Sequence, residues 1–311
     1  MRFYTAAMSA TRPPTTPPRS ALVRVPATSG NVGSGFDSLG LAFDWTADFR
    51  LTAEDSPAPT PRGPIESMAA TAALTLYRNA GIEPPPGVRV EYDGDIPVGR
   101  GLGVSAAARV AGVIAANELI AGGHSADTLL AVASQLEGHA DNAAPAMLGG
   151  LQVIVDDEGD LKHIGVTPPD DLRLALLIPS FSMPTEQSRK SLPERLTRNQ
   201  AVHNIGRAAM LVAALQQGRY ELLETATEDV IHQPARSQIF QPMFPIFQAA
   251  RDAGALAVFL SGGGPTIAAF AVDDPERVAG AMREAAAAHG VDGETRVCAV
   301  RATGAEVLAE A

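Results

Sequence analysis

Residues 21–28 have the pattern of a strand, and apolar residues alternate with polar ones around Phe43, Trp45 and Leu51 within 39–53, where at least one more strand is expected. A Pro-rich loop at 55–64 leads into a helix at 66–79, with Gly81 placed to close it. A strand at 88–92 runs into the turn-rich stretch 93–103. Two helices follow, at 104–120 and 127–137, the second with Ser125 or Ala126 near its cap. Residues 149–155 and the Leu- and Ile-rich 172–179 are read as strands. Helices are then expected at 204–217, 220–227 and 245–253. Two strands, 255–260 and 265–272, join across residues 261–264, and a helix at 275–289 and a strand at 295–301 finish the order. No internal repeat is visible. This order predicts two α+β domains, residues 21–167 and 168–311, divided near Pro168 and Pro169.

Composition narrows the function. A chain of 311 residues suits two domains, and 46% hydrophobic with 19% charged residues is ordinary for a globular protein. No apolar stretch approaches the roughly 20 residues of a membrane-spanning helix. The net charge of −11 gives no basic footprint for nucleic acid. Neither nucleic acid nor membrane is expected as a partner. An acidic protein that binds an anion must therefore use local devices: backbone amides, a metal ion or a few arginines. The single cysteine, Cys298, lies in an apolar run and is expected to be buried filler in a protein of the reducing cytoplasm. Residues 1–20 contain Arg12, Pro13, Pro14, Pro17, Pro18 and Arg19 but no acid and no apolar signal core, so a disordered tail is expected, with Met8 an alternative start.

The most informative segment is Pro97-Val98-Gly99-Arg100-Gly101-Leu102-Gly103-Val104-Ser105-Ala106-Ala107, which follows a strand and feeds an Ala-rich helix. Glycines let backbone N–H groups approach a ligand, and the first helical turn adds free donors and a positive dipole end. Ser105 can offer a hydroxyl to Mg²⁺, which prefers hard oxygen ligands. The chain has only two lysines, Lys162 and Lys190, neither in a glycine loop, so this is not the P-loop that ends in Gly-Lys-Ser/Thr. The alternative is a tight turn into a buried helix.

On the helix at 127–137, Glu137 projects onto the same side as Leu129, Leu130 and Ala133, in the last turn where the dipole disfavours an anion. A metal ion or a cationic partner would remove that conflict; so would a side chain that reaches out beside Gly138. Asp141 and Asn142 can each cap the next short helix, or orient or deprotonate an attacking hydroxyl. His139 suits a hydrogen bond to a substrate better than a metal, because no second His or Cys stands at metal spacing.

Taken together, these segments resemble the homoserine kinase family of the GHMP kinase superfamily. The loop 97–107 resembles its phosphate-binding motif. Residues 25–40, containing Asn31-Val32-Gly33-Ser34-Gly35-Phe36-Asp37, resemble its N-terminal signature. Glu137-Gly138-His139-Ala140-Asp141-Asn142 is similar to its central segment, and Ser261-Gly262-Gly263-Gly264-Pro265-Thr266 to its C-terminal glycine motif. The matches run from about residue 23 to 266 in the family's order.

The resemblance implies a two-domain fold, ribosomal protein S5 domain 2-like at the N-terminus and ferredoxin-like at the C-terminus. It implies ATP and Mg²⁺ as cofactors and phosphorylation of the side-chain hydroxyl of L-homoserine, a step in threonine biosynthesis. Residues 97–107 would hold the nucleotide, and Ser105 and Glu137 the metal. Asn31, Asp37, His139, Arg189, Arg236 and Gly262 would bind the substrate, the two arginines at its carboxylate. Asp141 and Asn142 would serve the chemistry, with or without a formal base. The resemblance leaves room for a homodimer. Val104 stands where the family has a serine, Gly30 where alanine is commoner and Ala140 where proline is commoner. Other readings are a mevalonate-type, sugar or shikimate kinase of the same superfamily, or a ligand-binding sensor on the same fold without turnover.

Overall fold

Two antiparallel sheets organise the chain, a seven-stranded one and a four-stranded one, in a computed structural model that describes residues 2–3, 19–58, 61 and 63–309. The elements of the N-terminal half are β1 (Arg2–Phe3), β2 (Ser20–Gly30), β3 (Leu39–Glu54), α1 (Pro64–Asn79), β4 (Gly87–Asp93), α2 (Val104–Leu119), α3 (Ala126–Glu137), α4 (Ala143–Leu148), β5 (Leu151–Asp157) and β6 (Asp160–Val166). Those that follow are β7 (Arg173–Pro179), α5 (Thr185–Lys190), α6 (Arg198–Gln217), a single 3₁₀ turn (Tyr220–Leu222), α7 (Leu223–Thr227), α8 (Gln233–Arg236), α9 (Met243–Asp252), β8 (Ala257–Leu260), β9 (Ile267–Ala271), α10 (Pro275–Ala288), β10 (Gly293–Ala299) and β11 (Glu306–Leu308).

The larger sheet runs β1-β11-β2-β3-β5-β6, with β4 also paired to the long β3. β3 reaches both neighbours by using its ends: Leu39–Leu41 pair with β5, and Asp48–Glu54 with β4. Helices α1, α2 and α4 pack against this sheet. α2 is buried on nearly every side, as its Ala-rich sequence permits. The expected closure of α1 is present: Gly81 N–H bonds to Arg78 O and Ile82 N–H to Tyr77 O.

The smaller sheet runs β10-β7-β9-β8, so the C-terminal half has the βαββαβ order of a ferredoxin-like unit. β7 is an unbroken apolar run because both its faces are covered. Leu174, Leu176 and Ile178 join the core under the larger sheet, while Ala175 and Leu177 pack with Phe247, Val278 and Met282 from α9 and α10. The fold is therefore the expected two-domain α+β architecture.

Several elements were not expected. β6 completes a hairpin with β5, and α6 begins six residues before the expected helix start at 204, where a capping box at Thr197 and Gln200 starts it. β11 is a three-residue strand that returns the C-terminus to β2. The expected disordered segment 1–20 lies mostly outside the described residues. Arg2 and Phe3 are described, and they pair with Val307 and Glu306. Among the described residues no helix is long and apolar enough to cross a membrane.

Candidate active site

The glycine-rich bend lies between β4 and α2, and its peptide planes are turned by the surrounding scaffold. The carbonyls of Arg100, Gly101 and Leu102 accept, respectively, from Thr266 N–H (3.1 Å), Ser261 Oγ (2.7 Å) and Thr28 N–H (3.1 Å). In a trans peptide the N–H points opposite to the C=O. The amides of Gly101, Leu102 and Gly103 are therefore aimed the other way, and among the described residues they donate to nothing. Gly103 is the N-cap of α2 at φ 66°, and no side chain caps the helix. A Cβ on Gly103 would overlap Thr28 Oγ1, so glycine is required for space as well as for conformation. Three aimed amides and an uncapped first turn make an anion cradle without a lysine.

The side chains of the bend do other work. Pro97 and the exposed Val98 lead into it past Gly99, and the Arg100 guanidinium donates to the backbone carbonyls of Val98 (3.3 Å) and Ser180 (2.5 Å). Leu102, Val104, Ala106 and Ala107 are buried. Val104 thus faces the core, and only its backbone lies at the bend.

Ser105 and Glu137 come together at the seam of α2 and α3. Ser105 Oγ donates to Glu137 Oε1 at 2.5 Å, and Arg109, one turn further along α2, ion-pairs with Oε2. Arg109 is the cationic partner that a carboxylate on the buried side of a helix end requires. A hydroxyl and a carboxylate are hard oxygen donors that fit Mg²⁺. Among the described residues no group of three or more His, Cys, Asp or Glu could hold a metal, so a cation here would take its other ligands from phosphate and water.

The segment after Gly138 turns toward the end of β2. His139 Nδ1 lies 2.5 Å from Asp141 Oδ1, and Asn142 Nδ2 donates to the same oxygen at 3.3 Å. Burial works against protonation of His139, but the hydrogen bond to Asp141 and the charges of Asp141 and Glu137 outweigh it and raise its pKa. Asp141 is fully buried, and its Oδ2 meets no donor among the described residues. That oxygen sits against Gly30, where a Cβ would overlap it. Asn142 does not cap α4 with its side chain. Its Oδ1 instead accepts from Thr28 Oγ1 (2.9 Å) and Gly30 N–H (3.0 Å), tying α4 to β2.

A pole of arginines lies near enough for the charge of Asp141 to act on it. The loop from Asn31 to Asp37 is held by Asn31 Oδ1, which accepts from Asp37 N–H at 2.9 Å; both residues have positive φ. Asp37 receives a bidentate pair from Arg189 on α5, 2.7 and 3.0 Å. Burial lowers the pKa of Arg189, but Asp37 more than offsets this and leaves it raised. Arg236, at the end of α8, is 1% exposed and donates to His232 Nδ1 (2.8 Å) and Gly262 O (3.0 Å). Burial, then the charge of Arg189, pushes its pKa down to about 10, so it remains charged at neutral pH. Both guanidinium groups lie over Phe36, 5.8 and 5.7 Å from its centroid.

Ser261, Gly262 and Ser188 clamp the two halves of the site together. Gly262 N–H bonds to Gly30 O at 3.0 Å, and Ser188 Oγ to Gly263 O at 2.9 Å. Sequence reasoning missed Thr28, Arg109, His232 and Ser261. Arg109 and His232 were within reach, since each stands four residues from a singled-out residue, Ser105 and Arg236. Thr28 and Ser261 lay inside quoted motifs, with nothing local to mark them.

The bend, the lysine-free cradle and the two-sheet architecture define a GHMP-type small-molecule kinase, and the GHMP kinase N-terminal and C-terminal family models match residues 67–150 and 211–291. A homoserine kinase of Deinococcus radiodurans is 40% identical over 82% of this chain and 85% of its own. One from Moorella thermoacetica is 39% identical over 87% of this chain and 94% of its own. The crystal structure of the homoserine kinase from Cytophaga hutchinsonii superposes with a TM-score of 0.85 at 30% identity, covering 96% of this chain and all of that one. The chain belongs to the homoserine kinase family.

Proposed function

We infer that this chain transfers a phosphoryl group from ATP to the side-chain hydroxyl of L-homoserine, giving O-phospho-L-homoserine. The observation that carries the reading is two kinds of site formed by these motifs: a bend of aimed amides, and two arginines over Phe36, one of them paired with Asp37. Homoserine is a zwitterion with a hydroxyl, and it offers a carboxylate to Arg189 and Arg236 and an ammonium to Asp37 and Asn31.

The amides of Gly101, Leu102 and Gly103 and the first turn of α2 would hold the phosphates, and Ser105 with Glu137 the Mg²⁺. Bound there, ATP supplies the transferable group and Mg²⁺ the charge neutralisation that phosphoryl transfer needs. Arg109 keeps the Glu137 carboxylate directed at Ser105. Of the two candidates for the chemistry, Asp141 has the spare oxygen: its Oδ2 is the group able to accept or orient the hydroxyl proton. Asn142, engaged by Thr28 and Gly30, holds Asp141 and the bend in register. His139 carries the other Asp141 oxygen and fixes its rotamer. The single buried cysteine supports a place in the reducing cytoplasm.

A coupled ADP-release assay with homoserine, mevalonate, galactose and shikimate tests the reading. Turnover with homoserine alone is expected. Turnover with another alcohol, or nucleotide binding with turnover on none, would overturn it.

A further inference from the structure

We infer that His232 is a positioning residue: it holds the Arg236 guanidinium through a neutral acceptor and so keeps that charge whole for the substrate's carboxylate. The inference rests on the homoserine reading above and names how its specificity is set.

Among the described residues Arg236 donates only to uncharged partners, an imidazole nitrogen and the Gly262 carbonyl, and its Nε to none; the charges of Asp37, Asp141 and Asp229 reach it without a direct ion pair. Arg189 is different, because Asp37 neutralises it. The acid nearest in sequence to Arg236 is also withheld. Asp229 is fully buried and accepts from the N–H groups of Ile231, His232 and Gln233 at 3.0, 2.9 and 2.7 Å, and from Asn204 Nδ2 at 2.7 Å.

The chemistry of the contacts fixes the ring's state. A guanidinium only donates, so His232 Nδ1 must accept. The Gly33 carbonyl only accepts, so Nε2, at 2.8 Å, must carry the proton. The ring is therefore the neutral Nε2–H tautomer, and protonation would set N–H against N–H. Burial favours the same state, lowering the pKa of His232 despite Asp229. The ring stacks on Phe36, 5.6 Å between centroids, so one side chain joins the substrate loop at Gly33 to the arginine. A carboxylate at position 232 would pair with Arg236 and remove the charge that a ligand carboxylate needs.

The test is the near-isosteric pair His232→Glu and His232→Gln, which differ in charge and in the donor that Gln keeps for the Gly33 carbonyl, a loss that both alcohols below feel alike. The kcat/KM for homoserine is compared with that for 3-aminopropan-1-ol, which is homoserine without its carboxylate. His232→Glu is expected to raise the homoserine KM by about 30-fold or more, with the KM for ATP within about twofold. His232→Gln keeps the homoserine KM within about fivefold of wild type, and with 3-aminopropan-1-ol all three enzymes agree within about threefold. If Glu and Gln variants behave alike, or the Glu penalty is equal for both alcohols, the inference is overturned. Where the Glu variant is not recovered folded, His232→Leu serves: a penalty confined to homoserine supports the role, and an equal penalty on both alcohols contradicts it. Wild-type enzyme inactive on homoserine would sink the functional reading; active wild type with alike variants sinks only this inference.

Discussion

The two ends of the site handle charge in opposite ways. At the phosphate end the charges are paired within the protein: Glu137 has both Ser105 and Arg109, and the anion cradle is made of uncharged amides. At the arginine end, the proposed substrate pole, Arg189 forms an ion pair with Asp37, while the more deeply buried Arg236 makes no direct ion pair among the described residues. A buried charge without a direct ion pair is costly in the free protein. On the reading proposed above, the contrast teaches that the phosphate end would rely on shape, which many phosphates satisfy, and the substrate end on an arginine with no direct ion pair.

Gly103→Ala attacks the phosphate end where its shape is tightest. A Cβ would overlap Thr28 Oγ1 at a positive φ, so kcat/KM for ATP is expected to fall by about 100-fold or more, measured by ADP release. An active Gly103→Ala enzyme would break the idea that shape rules that end. Arg236→Met tests the other end. The homoserine KM should rise by about 30-fold or more while the melting temperature falls by no more than about 5 °C, because relief of the buried charge offsets the lost hydrogen bonds to His232 and Gly262. A larger loss of melting temperature would mean that Arg236 is structural.

The sequence reveals these two ends unequally. The phosphate end is contiguous: residues 97–107 follow a strand, open a helix and contain every aimed amide, so local pattern suffices to find it. The substrate end is assembled from segments far apart in the chain. Asp37 and Arg189 are 152 positions apart, the hydrogen-bonded Ser261 and Ser29 hydroxyls 232, and no periodicity links either pair. Family resemblance supplied Arg189 and Arg236, yet the self-pairing of Asp37 with Arg189 and the neutral partner of Arg236 are properties of the folded site. The fold shows the same division. β3 and α3 carry clear periods, and α2 is marked by its Ala-rich run. β6 exposes Ile164, and β11 has three residues, too few to show any. The start of α6 was hidden by Val202 and Ile205, apolar residues on its exposed side.

Asn142→Ala tests the strut between the two ends. Its Oδ1 serves Thr28 and Gly30, both buried, so the loss should cost about 1–3 kcal/mol in denaturant unfolding. Unchanged stability would show that the two ends are held by other contacts. Cys298 provides the smallest effect and a control, since it makes no contact with either end. Burial, with Asp44 adding, pushes its pKa up to about 12, so thiol reagents at pH 8 should leave the native enzyme unmodified and fully active. The raised value also has a sign for stability. The unfolded thiol ionises near its ordinary value while the native thiol does not, so its contribution to stability falls as pH rises from about 9 toward 12.

The claim that Arg236 waits for a ligand carboxylate is tested most directly by one ratio: kcat/KM for L-homoserine over kcat/KM for 3-aminopropan-1-ol, in wild type and in Arg236→Met. The account expects wild type to favour homoserine by about 100-fold or more and the variant to lose most of that preference. A variant that discriminates as well as wild type, or a wild type indifferent to the carboxylate, would contradict it.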